Sequence, residues 1–117
     1  MTKEISNEPV IIELASFTAT AGSEKVTLTW VTESEINNAG FNIYRSETKK
    51  GKYEKMTAKM IPAKGSASKG SEYEFIDDDV RNRQTYWYKL EDVDLNGVTT
   101  MHDPVSAMPR LLYGIGR

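Results

Sequence analysis

The stretch TYWYKLE (residues 85–91) decides the fold of this chain. Tyr86, Tyr88 and Leu90 occupy alternate positions, and the positions between them hold Trp87 and Lys89. A period of two residues places the first three side chains on one side of an extended backbone and the others on the opposite side. The stretch therefore predicts a β-strand that buries two tyrosines and a leucine and turns an indole outward.

The rest of the chain repeats this pattern. Residues 25–32 and 41–45 form two further alternating runs that are rich in β-branched and aromatic residues. No segment carries a 3.6-residue apolar stripe over three turns, so no substantial helix is predicted. Turn residues separate the runs at short spacing, which is typical of an all-β antiparallel β-sandwich with about seven strands. Weaker strands are predicted at 10–18, 53–60, 73–76 and 98–102.

Alternation also predicts the core of the sandwich. One side of each of the three clear strands is apolar, and these sides must face each other to leave water. The predicted core residues are Val26, Leu28, Trp30, Phe41, Ile43, Tyr86, Tyr88 and Leu90.

Composition limits the function. The 117 residues suit one domain, and 15 basic against 17 acidic residues give a net charge of −2. This balance argues against a nucleic-acid partner, which requires a clustered basic excess; the dense basic run Lys49–Lys52 is interpreted as a solvated turn.

The chain has no cysteine, and no apolar run is long enough for membrane insertion. No cofactor is indicated, and the first residues do not form a secretion signal.

Trp30 on the second strand and Tyr86 at the start of the sixth resemble the two core markers of fibronectin type III domains. Val80 lies six positions before Tyr86, where that family has an aliphatic residue, although usually leucine. The resemblance, which spans residues 9–107, implies an immunoglobulin-like sandwich and a corner in which the Tyr86 hydroxyl bonds to nearby backbone. A proline common between these two positions in the family is missing here.

The segments LTWVTESEINNAGFNIYRS, IPAKGS, FIDDDV and YWYKLEDVDLNG resemble a bacterial subtype of this domain found in multidomain surface and secreted proteins. This resemblance implies a non-catalytic module, a spacer or a part in adhesion or assembly, with neighbouring domains as partners and an extracellular or cell-surface location. The domain is expected at 9–108, after a linker or added end at 1–8 and before a C-terminal tail at 109–117.

The segment DVDLNG (92–97) allows two interpretations. Asp92, Asp94, Asn96 and Asp103 match positions one, three, five and twelve of a calcium-binding loop (92–103), with glycine at position six. The flanking residues have strand rather than helix periodicity, however, and position twelve lacks the longer glutamate. A hairpin is favoured, in which Asp94 bonds backbone amides and Asn96 and the following glycine adopt left-handed geometry. The acidic run 77–79 is likewise interpreted as a turn rather than a metal site.

Catalysis has little support, and the protein is predicted not to be an enzyme. His102 is the single histidine, and beside Asp103 on a strand the two side chains point apart. His102 is therefore expected to be an exposed strand residue. Glu33 and Glu35 offer a carboxylate pair for glycoside hydrolysis, but their loop is too small for a cleft, so a salt bridge is favoured.

Two aromatic side chains are the best candidates for binding. If Phe41 and Ile43 face the core, Tyr44 faces outward beside Trp87 on the neighbouring strand. Such rings stack on sugars or anchor a protein partner, and they also stabilise a sheet by cross-strand contact. The loop 37–40 is interpreted as a structural connection in which the final glycine allows the chain to turn.

Overall fold

The computed structural model describes residues 12–111, which form nine antiparallel strands and contain no helix. The predicted linker at 1–8 and the end of the predicted tail, residues 112–117, lie outside the described residues. In chain order the strands are β1 (Ile12–Gly22), β2 (Lys25–Glu35), β3 (Asn38–Ser46), β4 (Glu54–Lys55), β5 (Ile61–Pro62), β6 (Glu72–Asp77), β7 (Tyr86–Asp94), β8 (Thr99–Met101) and β9 (Val105–Ala107).

The strands form two sheets that pack face to face. The first sheet has the order β1-β2-β6, and the second has β4-β3-β7-β8, with β5 also paired to β3 and β9 to β7. The short β4 and β5 therefore form one interrupted edge, and β8 and β9 form another. With each interrupted edge taken as one strand, the predicted antiparallel sandwich of about seven strands is confirmed.

All eight predicted core residues are buried, none with more than 3% of its surface exposed. They come from the alternating sides of β2, β3 and β7, so the period-two pattern assigned the inner face correctly. Two further apolar side chains, Tyr73 and Val80, complete the buried cluster.

An aromatic trio occupies one part of this core. Trp30 stacks on Tyr73 with ring centroids 5.3 Å apart, and Phe41 meets both rings edge to face at 5.6 and 4.8 Å. Edge-to-face and offset-stacked pairs add to the energy of burial. The sequence predicted only a weak strand at Tyr73, yet its ring completes the trio.

The tyrosine corner implied by the family resemblance is present. The Tyr86 hydroxyl accepts a hydrogen bond of 2.9 Å from the backbone amide of Arg81. Val80, next to this amide, is 7% exposed and packs into the core. The substitutions that separate this segment from the usual family pattern therefore leave the corner intact.

The predicted role of the loop at 37–40 needs correction. The left-handed conformation belongs to Asn37, with φ of 58°, and Gly40 is already inside β3, where it pairs with Pro62 and Val93. A Cβ atom on Gly40 would collide with the carbonyl oxygen of Ile61. Gly40 is therefore required for close approach of the β5 edge rather than for turning.

Asp77 is more than part of a surface turn, contrary to the sequence interpretation of residues 77–79. Its side chain is 1% exposed and accepts a charge-assisted bond of 2.9 Å from Arg45. The Tyr88 hydroxyl donates to the same carboxylate at 2.7 Å, and the Asp79 amide donates at 3.1 Å. This buried network joins the two sheets at one end of the sandwich.

Glu33 and Glu35 do not act as a pair, and Glu35 forms hydrogen bonds where a salt bridge was predicted. Glu33 is exposed, whereas Glu35 is 3% exposed. The Glu35 carboxylate accepts bonds from the Tyr73 hydroxyl at 2.8 Å, the Thr32 hydroxyl at 2.5 Å and the Gly65 amide at 3.2 Å. Glu35 thus fixes the loop that follows β5 at the opposite end of the sandwich from Asp77.

The start of the predicted C-terminal tail is in contact with the sandwich. Pro109 is fully buried, and its carbonyl accepts a bond of 2.8 Å from the Arg83 amide. The Arg110 amide donates to the Gly22 carbonyl at 3.1 Å. These bonds hold the exit of the chain beside the β1–β2 turn.

Candidate binding face

Tyr44 and Trp87 lie on the outer side of the second sheet, each half-buried. Directly paired residues of antiparallel strands share a face. Tyr44 is paired with Lys89, and Trp87 is paired with Ser46. The two rings are therefore diagonal neighbours, with backbone positions about 7–8 Å apart.

The core positions these side chains. Ile43 and Leu90 are paired across β3 and β7, and both are fully buried between the sheets. Because successive side chains alternate, burying these two residues turns Tyr44 and Lys89 toward solvent.

A polar network fixes Tyr44 from its hydroxyl end. The Tyr44 hydroxyl donates to the Glu91 carboxylate at 3.3 Å, and the Asn42 side-chain amide donates to the same group at 3.0 Å. The Thr57 hydroxyl donates to Asn42 Oδ1 at 2.8 Å. Burial, and then the nearby Glu91 charge, raise the pKa of Tyr44. These bonds hold the hydroxyl in place, and the half-buried ring lies on the outer side of the sheet.

A third aromatic, Tyr53, joins the same face and was missed from the sequence. Its hydroxyl donates to the Lys49 carbonyl at 2.6 Å, and the Lys89 ammonium lies 4.5 Å from its ring centroid. The Lys49 ammonium in turn lies 5.7 Å from the centroid of Trp87. Burial raises the pKa of Tyr53. The sequence placed Tyr53 in a strand at 53–60, but the strand is only Glu54–Lys55, and Tyr53 is held by the preceding turn.

Three lysines accompany the three rings. Lys55 is paired with Tyr44 across β3 and β4 and therefore shares its face. Within residues 12–111, none of these lysines forms an ion pair with a carboxylate. We define the aromatic face as Tyr44, Tyr53, Trp87, Lys49, Lys55 and Lys89.

The segment DVDLNG forms the hairpin between β7 and β8. The Asp94 carboxylate accepts bonds of 2.8 Å from the amides of Asn96 and Val98, as predicted. Gly97 has a φ of 87°, whereas Asn96 is not among the residues of positive φ within 12–111. The prediction was therefore right for the glycine and wrong for the asparagine, because one left-handed residue is enough to close this turn.

The environment of His102 also differs from the predicted one. His102 follows β8 and lies 2.7 Å from the Asp92 carboxylate through Nε2, with 22% of its side chain exposed. Asp92 is 3% exposed. His102 was predicted to be an exposed strand residue, but it is the partner of a buried carboxylate ten residues earlier in the chain. The pairing of β7 with β8 brings the two residues together, and their spacing in the sequence does not reveal it.

The four candidate calcium ligands have different surroundings. Asp92 is engaged by His102, Asp94 binds the amides of the turn, and Asn96 and Asp103 are exposed. In the part of the chain that the structure describes, no group of three or more His, Cys, Asp or Glu side chains is placed to hold a metal ion. The calcium-binding loop stays the untested alternative to the hairpin that the sequence favoured.

Comparison with known proteins identifies the fold. No family model and no curated protein sequence matches the chain. Among solved structures, a Fn3-like protein from Clostridium thermocellum is 22% identical with a TM-score of 0.57, over 83% of this chain and 91% of that chain. The protein has a fibronectin type III-like fold, as the two core markers predicted.

Two larger bacterial enzymes contain a similar fold. Pectate lyase PelI from Erwinia chrysanthemi is 20% identical with a TM-score of 0.62, and the match covers 81% of this chain but 27% of that one. A β-1,2-glucanase from Parabacteroides distasonis is 19% identical with a TM-score of 0.61, over 87% of this chain and 13% of that one. Each likeness is therefore to a small part of a longer polypeptide.

Residues 12–111 hold no helix capable of crossing a membrane.

Proposed function

We propose that this domain is a non-catalytic module of a larger secreted or surface protein, in which it spaces and joins neighbouring domains. The observation that supports the proposal is the position of the two ends of the described range. Ile12 pairs with Glu35 at one end of the first sheet, and Arg110 is bonded to Gly22 at the other. Entry and exit are separated by the length of β1.

This separation gives the module a defined length. The 11 residues of β1 span about 35 Å at about 3.3 Å per residue. A chain that enters one end of a rigid sandwich and leaves from the other places its neighbours apart rather than side by side. The buried networks around Glu35 and Asp77, one at each end, stiffen the sandwich where neighbouring domains would connect.

The comparisons support a module rather than a complete enzyme. Similar folds make up 27% and 13% of two longer bacterial enzymes. Among the described residues the ring of the single histidine is hydrogen-bonded to the buried Asp92 carboxylate and to no serine, threonine or cysteine, so the nucleophile–base contact of hydrolytic triads is not formed there. An extracellular location is proposed by analogy with these neighbours.

A head-to-tail series of the full chain in one, two, three and four copies tests the spacer role. Small-angle X-ray scattering should show a maximum dimension that increases by a constant step, about 35 Å or more, with each copy. A maximum dimension that barely increases from two to four copies would show that the modules fold back on one another, and the spacer proposal would be wrong.

A second function, binding through Tyr44 and Trp87, is supported by the neighbouring half-buried rings of the aromatic face. Flat aromatic side chains fit the apolar faces of sugars and anchor protein partners. A glycan array probed with the wild-type chain and with Trp87→Ala should show signals that the substitution removes. Ile76→Ala is the matched control, because Ile76 is 49% exposed on the other sheet. Signals that survive Trp87→Ala would exclude this face.

A further inference from the structure

The charge of the aromatic face differs from that of the whole chain. The chain has a net charge of −2, yet this face holds three ammonium groups that form no ion pair with another described residue. Glu91 is the only carboxylate at the outward positions of 40–46 and 87–93. It is 7% exposed and already accepts bonds from Tyr44 and Asn42. On the two central strands, therefore, the accessible carboxylates are outnumbered by the ammonium groups of the face.

Two of the three lysines lie over aromatic rings. Lys89 and Lys49 are within cation–π distance of Tyr53 and Trp87. An anionic group that binds an ammonium here is placed beside an aromatic ring in the same contact. A ligand that matches the face needs negative groups and flat apolar surfaces that alternate over a short distance.

The backbone of the face argues against a peptide ligand. The central strands β3 and β7 are paired with each other, and each is paired on its other side with short strands. Peptides commonly bind sheets by adding a strand to a free edge, or bind in a groove. This face offers side chains on a flat surface instead, which suits sugar rings stacking on Tyr44 and Trp87.

We propose that the aromatic face binds an anionic polysaccharide that carries carboxylates on its sugar rings. The lysines pair with the carboxylates, and the tyrosines and Trp87 contact the ring faces. This inference rests on the binding function proposed above and adds the chemical class of the ligand.

Three polymers separate the sources of affinity when titrated into the full chain by calorimetry. Polygalacturonate carries both sugar rings and carboxylates, its methyl ester keeps the rings without the charge, and poly-L-glutamate keeps the charge without the rings. We expect polygalacturonate to bind, with an affinity that falls as salt is added. The methyl ester and poly-L-glutamate should each bind at least about tenfold more weakly, because each lacks one class of central contact. No binding of polygalacturonate, or equal binding of poly-L-glutamate, would overturn the proposal.

Matched variants locate the contact. Lys49→Ala and Lys89→Ala should each weaken polygalacturonate binding about two- to fivefold, the range for exposed charge pairs. Lys69→Ala, at an exposed position in the loop after β5, should leave it unchanged. Trp87→Ala should weaken binding about tenfold or more. Trp87→Phe, which keeps an aromatic ring, should weaken binding less than Trp87→Ala. If Trp87→Ala does not fold, the two lysine variants still decide the outcome, because neither Lys49 nor Lys89 belongs to the buried core cluster.

The two proposals fail in different ways. A neutral glycan whose binding depends on Trp87 would leave the binding face in place and remove the anionic ligand. Polygalacturonate binding that is indifferent to both lysines and to Trp87 would remove the face itself as the site.

Discussion

The two outer faces of the sandwich share one architecture and differ in chemistry. On the first sheet, outward-facing threonines of β1 and β2 pair across the two strands: Thr18 lies opposite Thr29, and Thr20 lies opposite Thr27. Glu74, opposite Thr29 on β6, adds a carboxylate. The corresponding surface of the second sheet is the aromatic face, with three rings and three lysines. Threonine pairs satisfy the requirements of a half-solvated sheet, so sheet stability alone does not require the rings.

The difference is the basis on which a binding role is proposed for one sheet only. The threonine surface is rich in residues of strong β propensity and carries negative charge from Glu72 and Glu74. The aromatic face has large amphipathic side chains and positive charge. A spacer needs neither large amphipathic side chains nor positive charge on one face. The aromatic face is therefore the surface on which binding should be tested.

The largest expected effect comes from the core that both faces share. Trp30→Ala removes the central ring of the aromatic trio, and we expect it to lower the free energy of unfolding by about 3–5 kcal/mol. A urea titration monitored by circular dichroism measures the change. A loss below about 1 kcal/mol, the ordinary effect of a point substitution, would show that the two sheets do not depend on this side chain.

Alkaline pH should distinguish the interior phenols from those of the aromatic face. Burial, together with the Glu35 carboxylate, raises the pKa of Tyr73 to about 12, and burial and Asp77 raise the pKa of Tyr88. Both ionise near pH 10 when unfolded. Because the folded state keeps these protons, their contribution is complete below about pH 10, and that of Tyr73 is lost as the pH rises from about 10 to about 12.

Urea titrations across this range should show stability falling with pH, and Tyr73→Phe should make the fall smaller. Tyr53→Phe, on the aromatic face, is the control and should change the slope less. Equal slopes for wild type and Tyr73→Phe would contradict the assignment.

A smaller effect tests whether the aromatic face is structural. Trp87→Ala should lower the free energy of unfolding by only about 0.2–1 kcal/mol, the usual range for a cross-strand pair. Ile76→Ala on the threonine surface should have an effect of similar size. A loss of more than about 2 kcal/mol for Trp87→Ala alone would mean that Trp87 is mainly a structural residue, and the contrast between the faces would lose its functional meaning.

The smallest expected effect is that of calcium. Because Asp94 already caps the turn and Asp92 is paired with His102, millimolar calcium should leave the melting temperature unchanged, as should a chelator. Differential scanning calorimetry measures both conditions. A melting temperature that rises with calcium, and no longer does so in Asp103→Ala, would restore the calcium-binding loop.

The sequence predicted strands better than contacts. Alternation in 25–32, 41–45 and 85–91 assigned all eight core residues, because the direction of successive side chains is a property of the extended backbone itself. The markers Trp30 and Tyr86 then predicted the type of sandwich. Edges were less predictable: β5 and β9 have two and three residues, too few to show a period.

The main errors of the sequence analysis concerned the surroundings of ionisable side chains. Asp77, Glu35 and His102 were interpreted as turn, salt-bridge and exposed residues, yet each has partners within the fold. Arg45 lies 32 residues from Asp77 in the chain, and Tyr73 lies 38 from Glu35. Such distances carry no local signal, so these partners become visible only when the strands are in register.

The sequence by itself determined which side of each main strand is buried, and therefore that Tyr44 and Trp87 point outward. Only the tertiary structure decided what stands beside them: Tyr53 from a turn, Lys55 from an edge strand and a buried Glu91 that holds Tyr44. The physical reason is that side-chain direction is set by the local backbone, whereas the composition of a face depends on pairing between strands that are distant in the chain.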